Sequence, residues 1–160
     1  MWRVARDSRV LDLNSSYAYL LFARDFSRTS RVARVDGEVA GFVLGFRRPE
    51  RPDCLFVWQV AVDVQHRGRQ ISSRLLDDVV VGAGEDHPVR VIETTITDDN
   101  AASQALFASF ARRWGARITT QDLITAGHFP DEGHAAEPLY EIGPIDAGAA
   151  PAAALAAPDR

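Results

Sequence analysis

Residues 56–74, FVWQVAVDVQHRGRQISSR, change character twice within a few positions, and that change constrains the fold more than any other part of the chain. The run Phe56-Val57-Trp58-Gln59-Val60-Ala61-Val62 is β-branched and aromatic and short, so it reads as a strand rather than a helix. A polar, basic turn follows at once, Gln65-His66-Arg67-Gly68-Arg69-Gln70. Ile71, Leu75, Leu76 and Val79 then recur at helical spacing, with Ser72 and Ser73 polar in the first turn. The helix start leaves backbone N–H groups without intrahelical partners. The positive end of the helix dipole lies behind them, and Arg67 and Arg69 stand beside them. Such a corner suits a pyrophosphate. It is also the composition of a solvated strand-to-helix turn, because one glycine in a basic loop is a weak motif.

The flanking sequence decides what kind of sheet this unit joins. Residues 30–35 and 41–46 read as two strands, and Asp36-Gly37 between them is a hairpin signal. Pro49 and Pro52 make residues 47–53 a loop, after which the strand at 55–62 pairs back onto the hairpin. Gly82 and Gly84 end the helix, residues 86–88 turn, and residues 89–96 form the next strand. A strand reached through a helical crossover should run parallel to the strand at 55–62. Asp98-Asp99-Asn100 cap a helix from 101 to about 114, with Ala105, Leu106, Ala108 and Phe110 expected inside and Gly115 as its C′ residue. Residues 116–120 make a short strand, residues 125–138 a polar loop, and residues 139–142 a last strand. The result is an α/β domain with a mixed central sheet, antiparallel at the front, over residues 1–142. The Ala/Pro/Gly-rich residues 143–160 have nothing to pack with and are expected to be disordered.

At the N-terminus residues 1–10 are mixed, with Trp2, Val4 and Val10 as the large apolar positions. Residues 15–26 read as a helix capped by Asn14 or Ser15, with Tyr17, Leu20 and Leu21 continuing a stripe. Asp12 lies just outside that helix, where the dipole alone would favour a carboxylate.

Composition excludes several function classes. With 160 residues, 46% hydrophobic and 25% charged, the chain is one ordinary globular domain. A net charge of −4 argues against a nucleic-acid surface, so the basic loop is a local feature. No run approaches about 18 apolar residues, and Asp7, Arg9 and Asp12 interrupt any signal-peptide pattern, so no membrane partner is expected. The single Cys54 rules out an intramolecular disulfide framework and fits a reducing cytoplasm. It has no histidine near it in sequence and reads as a small buried thiol. The four histidines show no metal-ligand spacing, so no metal is expected; His134 and Glu137 at i, i+3 are the nearest to a pair.

Gln65-x-x-Gly68-x-Gln70 after a strand resembles the acetyl-CoA loop of the GNAT N-acetyltransferase superfamily, whose pattern is Gln/Arg-x-x-Gly-x-Gly/Ala. Gln70 departs at the last position. The likeness covers residues 32–142. Residues 11–21 (LDLNSSYAYLL), 56–63 (FVWQVAVD), 93–97 (ETTIT) and 140–142 (YEI) resemble one family within it, the diaminobutyrate acetyltransferases of ectoine biosynthesis and osmoadaptation. The resemblance implies the GNAT fold, a central mixed sheet with helices on both faces. Members usually begin with a strand before their first helix, and this chain reads as lacking it.

The same resemblance implies acetyl-CoA as cosubstrate, lying in the gap where the two parallel strands splay. Val60 and Val62 would offer backbone groups to the pantetheine, and Arg67, Gly68, Arg69, Gln70, Ile71 and Ser72 would hold the pyrophosphate. Asn100, Ser103 and Phe107 on the later helix complete the cofactor set. Many members place a tyrosine at the position of Phe107 to protonate the leaving thiolate, and phenylalanine has no proton to give. Tyr17, Tyr19 and water are left as candidates, with Tyr17 favoured as the catalytic residue. For the diamino acid acceptor the implied set is Asp12, Asn14, Tyr17, Trp58, His134 and Glu137, in a pocket near the interface of a homodimer. On pattern alone Trp58 is as well read as a core residue, taking one face of its strand while Gln59 takes the other. Two other functions stay open: transfer to a different small amine, and a non-catalytic acyl-CoA-binding module, which Gln70 and Phe107 would favour.

Overall fold

The computed structural model describes residues 1–9, 11–85 and 87–146. Its centre is a six-stranded sheet in the order β1-β2-β3-β4-β6-β5, from β1 (Arg31–Val35), β2 (Glu38–Arg48), β3 (Arg51–Val62), β4 (Val91–Thr95), β5 (Arg117–Ile124) and β6 (Glu137–Gly143). Only β3 and β4 are parallel; every other neighbouring pair is antiparallel. The mixed sheet expected from the sequence is therefore present, and α3 (Ile71–Ala83) is the crossover that makes one pair parallel.

Each face of the sheet carries its own apolar cluster. On one face Leu75, Leu76, Val79 and Val80 of α3 and Phe107, Phe110 and Ala111 of α4 (Ala101–Arg113) pack on Val43, Leu55, Val57 and Ile92. On the other, Val4 and Ala5 of α1 (Trp2–Ser8) and Tyr19 of α2 (Ser16–Asp25) pack on Phe42, Leu44 and Ala61. Residues 2–8, mixed by pattern, thus form a helix. Arg3 fastens it to the sheet by donating to Asp63 at 2.6 Å and to the Val39 carbonyl at 2.8 Å.

Several boundaries move. The hairpin turn is Asp36-Gly37, both at positive φ (51° and 81°), the geometry that matches strand twist and that glycine adopts freely. The expected loop at 47–53 shrinks to two residues, because both arms continue as strands. Arg48 and Arg51 both reach the buried carboxylate of Glu93, at 2.9 and 2.7 Å, and Arg47 donates to the carbonyls of Pro52, Ala83 and His87. Gly82 lies inside α3 and Gly84 caps it, while Asp86 of the expected turn lies outside the described residues. On α4 the buried stripe is Phe107, Phe110, Ala111 and then Trp114, whereas Ala105 is exposed; the expected stripe was off by a third of a turn. Ser15 caps α2 by accepting from the Ala18 N–H at 3.3 Å, and this phase buries Tyr19 while leaving Tyr17 and Leu20 about two-thirds exposed. The chain also stays packed past residue 142: Gly143 ends β6, and buried Ile145 donates its N–H to the Arg90 carbonyl at 2.7 Å. Residues 147–160 of the expected tail lie outside the described residues.

Candidate active site

The parallel ladder between β3 and β4 is short. Cys54, Leu55 and Phe56 pair with Val91, Ile92 and Glu93, and there it stops. Past that point β3 keeps β2 as its neighbour and β4 keeps β6, so the two strands part. One edge of β3 is left without a strand over Val60, Ala61 and Val62, a row of backbone groups that needs partners. Beside that edge is a cavity of about 270 Å³, lined by Val60, Ala61, Val62, Arg67, Ser72, Asn100, Ala102, Ser103 and Leu106, with Ser8 and Leu11 from the N-terminal segment. Two helix N-termini, of α3 at Ser72 and of α4 at Asn100 and Ser103, open onto it. Asn100 caps α4 by accepting from the Ser103 N–H at 3.0 Å.

The loop into α3 is anchored at its start. The Asp63 carboxylate accepts from Arg3 and from the Gln65 N–H, and these contacts, Arg3 first, hold it below its ordinary range. Gly68 has φ +76°, and a side chain there would meet nothing within 4 Å. The demand for glycine at 68 is therefore conformational. Gln70 also sits in the left-handed region, at φ 59°, as the N-cap of α3 with no side-chain capping bond. An L-residue pays roughly 1–2 kcal/mol for that backbone, which is the physical reason for glycine at this place; alanine would gain nothing from it. Arg69 and Gln70 are exposed, while Ile71 is half-buried and packs on the α3 core. Among the expected cofactor residues, Val60, Val62, Arg67, Ser72, Asn100 and Ser103 line the cavity; Gly68, Arg69, Gln70 and Ile71 bridge Arg67 to Ser72. Phe107 is a correction: it is buried in the core, and Leu106 takes the lining position. Nothing in the local pattern marks Ser8, which closes the unexpected helix α1, or Leu11 on the link that follows it, as lining residues.

On the opposite face of the sheet a β-bulge sets the positions of Trp58 and Gln59. Leu44 pairs with Gln59 and Gly45 with Val57, so Trp58 is an extra residue in β3. The expected alternation breaks here: Trp58 and Gln59 both reach α2. Trp58, 36% exposed, stacks on Phe22 with ring centroids 4.8 Å apart. Buried Gln59 accepts from the Tyr19 hydroxyl at 3.0 Å and donates from Nε2 to the Asp12 carbonyl at 3.1 Å. Burial pushes the Tyr19 hydroxyl above the ordinary tyrosine range, more than its hydrogen bonds lower it. Asn14 donates to the same Asp12 carbonyl at 3.4 Å.

Glu137 is the first residue of strand β6 rather than part of a loop, and its carboxylate accepts from Thr95 at the end of β4. Phe56 pairs with Glu93 in the parallel ladder, so Trp58 and Thr95 follow two residues later on the two parting strands. His134 is not paired with Glu137: it stacks on Phe129 and lies 3.1 Å from the Asp131 carboxylate. Among the described residues no group of three His, Cys, Asp or Glu is placed to hold a metal. Cys54 is buried, and its thiol is pushed up to about 12, chiefly by burial and then by Glu93, so it stays protonated and is no nucleophile.

Residues 2–111 match the acetyltransferase (GNAT) family. The chain is 56% identical over 145 residues to L-2,4-diaminobutyric acid acetyltransferase of Nocardia farcinica, covering 91% of this chain and 74% of that protein. It is 51% identical over 149 residues to the Streptomyces coelicolor protein of the same name, covering 92% and 88%. The structure is similar to that of diaminobutyrate acetyltransferase EctA from Paenibacillus lautus in complex with L-2,4-diaminobutyric acid and coenzyme A. There the TM-score is 0.83 at 40% identity, over 89% of this chain and 86% of that one.

Proposed function

The chain belongs to the acetyltransferase (GNAT) family, and we propose from this that it moves the acetyl group of acetyl-CoA to the γ-amino group of L-2,4-diaminobutyrate. The observation that carries the reading is the cleft where β3 parts from β4, with an unpaired strand edge on one side and two helix N-termini on the other. An unpaired edge suits the amides of a pantetheine arm, and helix starts with Arg67 suit a pyrophosphate. A regulatory module needs only that side. The conserved name of the relatives and the separate acceptor face, with Asp12, Trp58 and Glu137, favour an enzyme.

Transfer from a thioester to an amine needs a neutral amine, a held carbonyl and a proton for the departing thiolate. Asp12 and Glu137 are proposed to pair with the substrate's ammonium groups, with Asn14 and His134 at the margin. The open face and edge of Trp58 are proposed to take the aliphatic amine by cation–π contact. A carboxylate beside the α-ammonium keeps it charged and non-nucleophilic, while the γ-amine must lose its proton, so the rate should rise toward alkaline pH. Tyr17 is the proposed proton donor, because the Tyr19 hydroxyl is already committed to Gln59. Tyr17→Phe should then lower kcat about tenfold or more while sparing acetyl-CoA binding; an unchanged kcat would leave the step to water.

Leu13, Tyr17 and Leu20 form an exposed apolar row at the start of α2, and we propose that a second copy of the chain covers it, with the pocket near that interface. Mixing Asp12→Asn with Glu137→Gln chains should restore activity through hybrid sites if the pocket is shared. No recovery in a confirmed mixed dimer would put both residues in one chain's pocket. A cytoplasmic role in ectoine formation goes with this activity; no helix among the described residues is long and apolar enough to cross a membrane. Loss of ectoine on deleting the gene under salt stress would test the pathway. The direct test of the reaction is thiol release from acetyl-CoA over a panel of amines: diaminobutyrate should lead, and release with none of them would favour the binding module.

A further inference from the structure

Gln59 is a buried amide within the otherwise apolar run 54–62 of β3, 6% exposed, on the face that carries Phe42, Leu44 and Ala61. A leucine would pack there without the cost of burying an amide, which is tolerable only when both ends are bonded. Both ends are. The carbonyl of Asp12 can only accept, so the nitrogen of the Gln59 amide must face it, at 3.1 Å. Oε1 is then left to take the Tyr19 hydroxyl, at 3.0 Å, which fixes the amide against flipping. The bulge at Trp58 is what turns Gln59 to this face, since strict alternation from Trp58 would send it to the α3 side.

Asp12 itself stands on the link between α1 and α2, where the chain has no regular structure. Its carboxylate is exposed and makes no bond among the described residues, whereas its peptide plane is tied to the sheet through Gln59. We infer that Gln59, locked by Tyr19, is the positioning residue of the acceptor site: it holds the Asp12 peptide so that the carboxylate meets the substrate's ammonium beside Trp58. This rests on the acceptor reading above. A site that must hold one ammonium and leave a second amine free needs its carboxylate fixed to a fraction of an ångström, which a link without secondary structure cannot supply alone. The same bulge therefore presents the aromatic contact and anchors the charged one.

The test is steady-state kinetics on the full chain together with amide hydrogen exchange of residues 11–15. Gln59→Leu should raise the KM for diaminobutyrate about tenfold, the scale of one buried hydrogen bond, with the KM for acetyl-CoA within about twofold. Tyr19→Phe, which frees the amide and also removes the hydroxyl's contacts with Asn14, should shift the same constant in the same direction by about two- to fivefold. Exchange at residues 11–15 should speed up in both. In an Asp12→Asn background Gln59→Leu should add less than about twofold, because the two act through one contact. An unchanged diaminobutyrate KM in folded Gln59→Leu, an equal rise in both KM values, or additive effects with Asp12→Asn would overturn the inference. If Gln59→Leu does not fold, Tyr19→Phe decides: no change in KM or in exchange overturns it. Should the wild-type protein prefer another amine, the diaminobutyrate reading fails, and that amine's KM with the exchange data still tests the positioning.

Discussion

On the α3–α4 side of the sheet, what is offered to a ligand is backbone: the bare edge of β3 at residues 60–62, the turn through Gly68 and the starts of two helices. On the α1–α2 side the proposed contacts are side chains, Asp12, Trp58 and Glu137, from three stretches far apart in sequence. The first side can serve any acyl-CoA enzyme of this fold, since backbone amides and helix dipoles recognise a phosphate whatever the acceptor is. The second is proposed to tell one amine from another, because only placed charges and aromatic faces can do that. The bulge at Trp58 lies where β3 passes from one role to the other.

If the two sides are separable, damage to one should leave the other intact. The largest effect is expected from Gly68→Asp. It forces an L-residue into φ +76° and sets a negative charge beside the phosphates, though it meets no steric obstacle. Affinity for CoA should fall at least a hundredfold, about 3 kcal/mol, by calorimetry, while the fold is kept. Retained CoA affinity would remove the loop from the cofactor site. Asp12→Asn and Glu137→Gln come next, each costing about 2–3 kcal/mol in kcat/KM for the amine through an unpaired ammonium. CoA affinity should stay unchanged in both; a parallel loss would mean that the two faces are coupled.

Trp58→Leu should be milder, raising the KM for the amine by roughly 0.5–2 kcal/mol with kcat little changed. The smallest effect belongs to Gln70→Gly. Relief of the left-handed backbone should stabilise the protein by about 0.5–1 kcal/mol in thermal unfolding and tighten CoA modestly. Weaker CoA binding in that variant would make the glutamine amide a ligand in its own right.

How much of this could be read in the sequence follows the same division. The unit from β3 to α3 is a continuous motif, so its strand, turn and helix are legible together, as are the Asp36-Gly37 hairpin and the Asn100 cap. The acceptor face was legible only through resemblance. A one-residue bulge cannot be seen in a pattern of alternation, so Gln59 was assigned to the wrong face and its tie to Asp12 was invisible. Helical phase was missed where aromatic and alanine positions compete: Phe107 was read as a ligand contact although it is part of the core stripe. In α2 the stripe through Tyr17 and Leu20 was the exposed one. The loop at 47–53 was overestimated because proline there outweighed three arginines whose partners lie on distant strands and turns.

The acceptor face is proposed to select the γ-amine of a four-carbon diamino acid. Product analysis by NMR, with diaminobutyrate, ornithine, lysine and spermidine compared side by side, tests it most directly. The expected result is acetylation of diaminobutyrate at the γ-nitrogen. Ornithine and lysine should be poorer, because their longer arms carry the terminal amine past the thioester carbon. Acetylation at the α-nitrogen, or a clear preference for spermidine, would contradict it.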